Sequence, residues 1–114
     1  MAEVSSVFKE IEEALQSDGS LAKGVEAVYQ FQLDGDESNV YQLNLQGENS
    51  VTSEGAKDDA DCTLKMSSDD FVKMTEGELN GTQAFMSGKL KIKGNMGLAL
   101  KLQDILQSYN KQKS

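Results

Sequence analysis

One thiol, no imidazole and nineteen carboxylates bound the chemistry open to this 114-residue chain. His is the commonest general acid–base side chain and the commonest nitrogen ligand for metals, and the sequence has none. Cys62 is the only cysteine, and Asp61 beside it opposes the electropositive setting that a thiolate nucleophile requires. A small buried side chain is the plainer reading of Cys62. Asp34-Gly35-Asp36-Glu37-Ser38 begins like a calcium loop. Its sixth position, however, is Asn39 where Gly is needed, and its twelfth is Leu45 where Glu is needed. Asp58, Asp59 and Asp61 form a second acidic group with no companion motif, so both groups read as solvated turns. There is no nucleophile elbow, phosphate loop or dinucleotide fingerprint. A small enzyme built on Asp or Tyr would need a carboxylate inside an apolar pocket, whereas the acids here fall in turns or on wet faces. No catalytic residue, metal ligand or cofactor is therefore assigned, and the chain is not expected to be an enzyme.

The charge balance narrows the partners. The net charge is −8, and all eleven basic residues are Lys, which leaves no Arg fork for phosphate or guanine. Nucleic acid is excluded on that ground, and permanent residence on an anionic membrane is disfavoured. Lys89, Lys91 and Lys93 are the one local concentration of positive charge. They serve either to keep the wet side of an outer strand from aggregating or to meet a phosphate headgroup or membrane during exchange. There is no transmembrane run, and residues 1–15 lack the layout of a signal peptide. With a single cysteine, an intracellular reducing compartment is expected, as is a monomer that diffuses freely.

The elements that must position any site follow from periodicity. Val4, Val7, Phe8, Ile11 and Leu15 keep the spacing of one helical face, and Ser17-Asp18-Gly19 stops that helix. The period then changes to two. Val25 to Leu33 and Tyr41 to Leu45 alternate as strands joined by a turn over Asp34 to Asn39, and Gly47-Glu48-Asn49 leads into a weaker strand near Val51. These three predict an antiparallel meander. After a solvated loop at Lys57–Asp61, Cys62, Leu64 and Met66 mark the inward side of a fourth strand. Ser67 and Asp70 have N-cap spacing for a helix carrying Phe71, Val72 and Met74 and ending at Gly77. A second short helix is expected from about Thr82 to Met86, and a strand over Lys89–Lys93. Beyond Gly94-Asn95 runs a long helix whose inward stripe is Met96, Leu98, Ala99, Leu102, Ile105, Leu106 and Tyr109, widened by Leu100. This order predicts a single α+β domain over 1–114, with helices on one face of a mostly antiparallel sheet. The helical connection between the fourth and fifth strands permits a parallel pairing. Periodicity says that the stripes face inward; it does not distinguish a filled core from a cavity.

Several runs carry a resemblance. Asp61-Cys62-Thr63-Leu64, Asp70-Phe71-Val72-Lys73-Met74 and Gly77-Glu78-Leu79 lead to the long run Ala84-Phe85-Met86-Ser87-Gly88-Lys89-Leu90-Lys91-Ile92-Lys93-Gly94-Asn95-Met96, then Leu100-Lys101-Leu102. Together they closely resemble the sterol carrier protein-2 domain family, in detail from Asp61 onward and in element order before it, with Val28-Tyr29-Gln30-Phe31. The resemblance implies a five-stranded mixed, mainly antiparallel sheet covered on one face by helices, with an apolar tunnel between the layers. It also implies an intracellular lipid carrier, free-standing, for fatty acids, fatty acyl-CoA, sterols or phospholipids. Many relatives have Asn-Pro where Asn80-Gly81 stands, Trp where Tyr41 stands, and an S-K-L type peroxisomal ending where this chain has Lys113-Ser114. A peroxisomal or cytoplasmic location is expected.

Given such a tunnel, its wall is expected to come from Phe8, Ile11, Phe31, Leu43, Phe71, Met74, Phe85, Met96, Leu98, Leu102, Ile105 and Leu106. With no Arg, a charged headgroup at its mouth would meet Lys, backbone N–H or water, and transient membrane contact fits that exchange. The competing expectation is a protein-interaction module with a filled core and no bound lipid.

Overall fold

The computed structural model describes residues 4–22, 24–35, 39–46, 49–55 and 59–113. The expected turns at Asp36–Ser38 and Gly47-Glu48, the acidic residue Asp58 with Lys57, and the terminal Ser114 lie outside the described residues.

Helix α1 (Val4–Ser17) turns Val7, Phe8, Ile11 and Leu15 into the protein, the face that their spacing requires. A 3₁₀ turn, Gly19–Ala22, follows and buries Leu21 and Ala22. Strand β1 (Glu26–Asp34) alternates without a break, placing Ala27, Tyr29, Phe31 and Leu33 inward. β2 (Asn39–Gln46) and β3 (Val51–Glu54) complete the antiparallel meander, with Phe31 opposite Tyr41 and Leu43 opposite Thr52. β4 (Cys62–Ser67) buries Cys62, Leu64 and Met66. Helices α2 (Ser68–Thr75) and α3 (Gly81–Met86), strand β5 (Lys91–Gly94) and helix α4 (Met96–Lys113) complete the order. Ser67 caps α2 by accepting from the Asp70 N–H at 3.1 Å.

The sheet runs β3-β2-β1-β4-β5 and contains one parallel pairing, as a mixed, mainly antiparallel sheet requires. The parallel neighbours are β1 and β4, with Phe31 beside Leu64, whereas β4 and β5 are antiparallel. The tight meander commits one edge of β1 to β2, so β4 joins the other edge running in the same direction. The two short helices between β4 and β5 then bring the chain back alongside its own start. β5 also begins two residues later than expected: Lys89 and Leu90 form the bend out of α3, held by N–H bonds from both to the Ala84 carbonyl. Gly94 is obligatory where β5 hands over to α4. Its φ is +106°, and a Cβ there would stand 2.7 Å from the Asp61 carbonyl oxygen.

All helices lie on one face. α1 packs on β3 and α2; α2 packs on β1, β4 and α4; α4 packs on β4 and β5. Glu12 and Gln16 fasten α1 to the edge of the sheet. The Glu12 carboxylate accepts from the Thr52 N–H (3.2 Å) and hydroxyl (2.6 Å), and Gln16 donates to the Ser50 carbonyl. The other face is polar: Gln30 and the buried Gln42 bond across β1 and β2 at 3.0 Å, and Lys65, Lys91 and Lys93 are exposed at the β4–β5 end. The lysines thus stand on and beside an edge strand, where charge discourages further strand pairing.

At the centre of the helix–sheet interface is a four-ring cluster. Phe8 stacks on Tyr41 (4.5 Å between centroids) and on Phe71 (4.8 Å), and meets Phe31 edge-on at 5.3 Å. Phe31 also meets Phe71 edge-on. Because Phe8 touches rings from β1, β2 and α2 at once, Phe8→Ala opens a cavity that no single element can close. The expected loss is about 3–5 kcal/mol, measured by urea denaturation.

Candidate functional site

The aromatic cluster leaves open space at only part of the helix–sheet interface. Phe8, Phe31 and Phe71 are buried against one another, with Ile11 and Leu43 buried on the same side, so this part of the interface is filled. Space remains at the other end, under the first half of α4. There α3, β5 and α4 enclose an apolar groove of about 60 Å³, whose floor includes Leu64 and Ile92. Met74, Phe85, Met96 and Leu102 line it, together with Leu90 and Leu100.

The twelve expected wall residues therefore separate. Met74, Phe85, Met96 and Leu102 meet at the groove. Phe8, Ile11, Phe31, Leu43 and Phe71 lie within the filled core, Ile105 is buried there too, and Leu98 is half-buried against it. Leu106 lines a second depression further along α4. Two orientations need correction: Phe85 and Met96 were expected inward but are 42% and 44% exposed. Leu100, read as part of the same stripe, is 60% exposed. The reason is width. The stripe of α4 spans more arc than the narrow β4–β5 end can cover, and six-residue α3 is too short to cap the remainder. Leu64, Leu90, Ile92 and Leu100 were not among the expected wall residues. Strand alternation marked Leu64 and Ile92 as inward, but nothing in their spacing separates a groove floor from ordinary core.

The lid of the groove, α4, is held at three points. Asn95 caps its start, accepting from the Leu98 N–H at 3.2 Å, and the buried Tyr29 hydroxyl donates to the Leu98 carbonyl at 2.8 Å. Asn110 donates to the Thr75 carbonyl of α2 at 3.0 Å. The Tyr109 hydroxyl donates to the Glu10 carboxylate of α1 at 3.2 Å.

The titratable groups serve structure. Burial, and then Asp61, pushes the Cys62 thiol upward, away from thiolate. Burial, then Cys62 and Asp61, raises the Tyr29 phenol well above its ordinary range. Asp61 is itself occupied, accepting from the Val28 N–H at 2.9 Å. Among the described residues, no three His, Cys, Asp or Glu side chains come together as a metal site, and no helix is long and apolar enough to cross a membrane.

Comparison with known proteins assigns this architecture. Residues 8–107 match the SCP-2 sterol transfer family. The chain belongs to that family. Its fold matches the sterol carrier protein domain 2 of Helicoverpa armigera at a TM-score of 0.77 and 31% identity, covering 91% of this chain and 85% of that one. It also matches sterol carrier protein-2 from Aedes aegypti in complex with palmitate, with a TM-score of 0.72 and 26% identity, over 95% of this chain and 98% of that one. Hydroxysteroid dehydrogenase-like protein 2 of Bos taurus is 44% identical over 108 residues, which is 94% of this chain. The chain spans only 25% of that relative, so the dehydrogenase-like name describes a much longer protein.

The clamp at Tyr109 carries a pH signature. Burial, with the Glu10 charge and hydrogen bond, raises its phenol from the usual value near 10 to about 12. A pKa raised on folding contributes stability that is complete below about pH 10 and is lost as pH rises through about 12. Tyr109→Phe should cost about 1 kcal/mol at pH 7. The gap between parent and variant should then close between pH 10 and 12, followed by urea denaturation at each pH.

Proposed function

We propose that this domain binds and carries single lipid molecules, the acyl chain lying between α4 and the β4–β5 end of the sheet. The observation that carries the reading is the apolar groove whose rim, Phe85, Met96 and Leu100, is exposed. Exposed apolar side chains around a concave apolar site are what a lipid would cover. Membership of the SCP-2 sterol transfer family supports it, as does the palmitate held by the Aedes aegypti protein. Fatty acids, fatty acyl-CoA, sterols and phospholipids are the ligand classes this reading admits, taken up by a monomer in an intracellular compartment, peroxisomal or cytoplasmic. Catalysis forms no part of it: the buried thiol and phenols are pushed away from ionisation, and Asp61 is committed to backbone.

The energetics require movement. Each buried methylene contributes about 0.8 kcal/mol, so a long acyl chain gains on the order of 10 kcal/mol before association costs. A groove of about 60 Å³ is far smaller than the roughly 300–1,000 Å³ of ordinary ligand sites, so loading must lift the first half of α4 from α3 and β5. Release of the Tyr29 bond to Leu98 is the hydrogen-bond component of that opening.

The filled aromatic core and the small groove favour a second reading, a protein-interaction module with no bound lipid. Displacement titration with a fluorescent fatty acid separates the two. Saturable binding supports the carrier, and its absence leaves the module. In the carrier, Phe85→Ser combined with Leu100→Ser should weaken binding at least about tenfold while sparing the fold, because neither side chain belongs to the buried core.

A further inference from the structure

The face of α4 that closes the groove changes chemistry along its length. Met96, Leu100, Gln103, Gln107 and Asn110 follow one another at helical spacing, apolar up to Leu100 and amide from Gln103 onward. The apolar half borders the groove. The amide half borders a second depression, of about 240 Å³, between α4 and the α2–α3 turn. The two spaces share Met74, Gly81 and Gln103. Gly81 stands at the boundary between them: a Cβ there would stand 3.1 Å from Gln103 Oε1 and 3.5 Å from Met74 Cε.

We propose that the second depression is the headgroup subsite of the lipid in the groove, and that it takes an uncharged headgroup that both donates and accepts hydrogen bonds, such as the glycerol of a monoacylglycerol, in preference to a carboxylate. The proposal rests on the lipid-carrier reading above and specifies its ligand class.

The orientation of each amide is set by the fold. Asn80 Oδ1 accepts from the Thr82 and Gln83 N–H groups, at 2.8 and 3.3 Å, which leaves its Nδ2 as a donor. Gln103 Oε1 accepts from the Thr82 hydroxyl at 2.9 Å, which leaves Nε2 as a donor. Asn110 gives one of its two Nδ2 hydrogens to the Thr75 carbonyl, which leaves Oδ1 as an acceptor and one N–H as a donor. Gln107 lies between them on α4, exposed, and supplies either group. A hydroxyl-bearing headgroup matches a set that mixes donors and acceptors. A carboxylate only accepts, so it would face Asn110 Oδ1 without a hydrogen to share. The amides also carry no net charge to offset its desolvation. Lys111, at the outer lip, is exposed, and an ion pair in water contributes little.

The test measures displacement of a bound fluorescent fatty acid by 1-monopalmitoylglycerol and by palmitate, which share one acyl chain. The expected result is roughly tenfold tighter binding of the monoglyceride, the worth of one or two net hydrogen bonds. Gln107→Leu is expected to narrow that preference by weakening the monoglyceride more than palmitate. Gln107 is an exposed side chain, so the variant keeps the fold. Equal affinities, tighter palmitate that weakens in Lys111→Gln, or a Gln107→Leu variant that changes neither lipid would overturn the subsite while leaving the carrier intact. If neither lipid displaces the probe and the probe itself does not saturate, the carrier reading fails, and the subsite with it.

Discussion

Phe8 sits where three parts of the chain must agree. Its ring is stacked between Tyr41 of β2 and Phe71 of α2 and is met edge-on by Phe31 of β1, so one residue of the N-terminal helix fixes that helix, the middle of the sheet and the chain after β4 in one geometry. Aromatic groups bury more area than any other side chain and prefer these offset and edge-on contacts, so the cluster is both the largest apolar contribution and the most directional one. Because it fills the interface under α1 and α2, the remaining space is displaced to the β4–β5 end. The groove exists where the aromatic cover stops.

That displacement accounts for the division of labour among the helices. α1 is fastened at the β3 edge by Glu12 and Gln16 and behaves as permanent cover. α4 buries Ala99, Leu102, Ile105, Leu106 and Tyr109 and adds side-chain hydrogen bonds to β1, α1 and α2, while its first half passes over a four-residue edge strand and a six-residue helix that cannot cover it. The exposure of Phe85, Met96 and Leu100 follows from the same geometry.

Much of this was legible in the sequence, for reasons that can be stated element by element. Alternation in β1 and the helical spacing in α1 each specify a dry face without reference to anything else, and both faces are buried as expected. The Ser67 cap was readable because capping is a contact within one turn. The pairing of β1 with β4 was not, since nothing in a strand's own residues says which neighbour will occupy its second edge. The twelve expected wall residues do not gather around one space for a related reason: periodicity marks an inward direction, and inward for Phe31 means a packed ring cluster while for Met74 it means a groove.

The sequence by itself determined the chemistry that is absent, namely no imidazole and one thiol beside an acid, together with the alternation and helical periods that produce one sheet with one covered face. These are local properties, carried by residue type and by spacing within an element. Only the tertiary structure decided which apolar residues fill the core and which rim an opening, that Met74, Gly81 and Gln103 border two spaces at once, and that the amides of Asn80 and Asn110 bond through opposite polar atoms. Those outcomes depend on how far one element extends over another, and on hydrogen bonds between residues far apart in the chain.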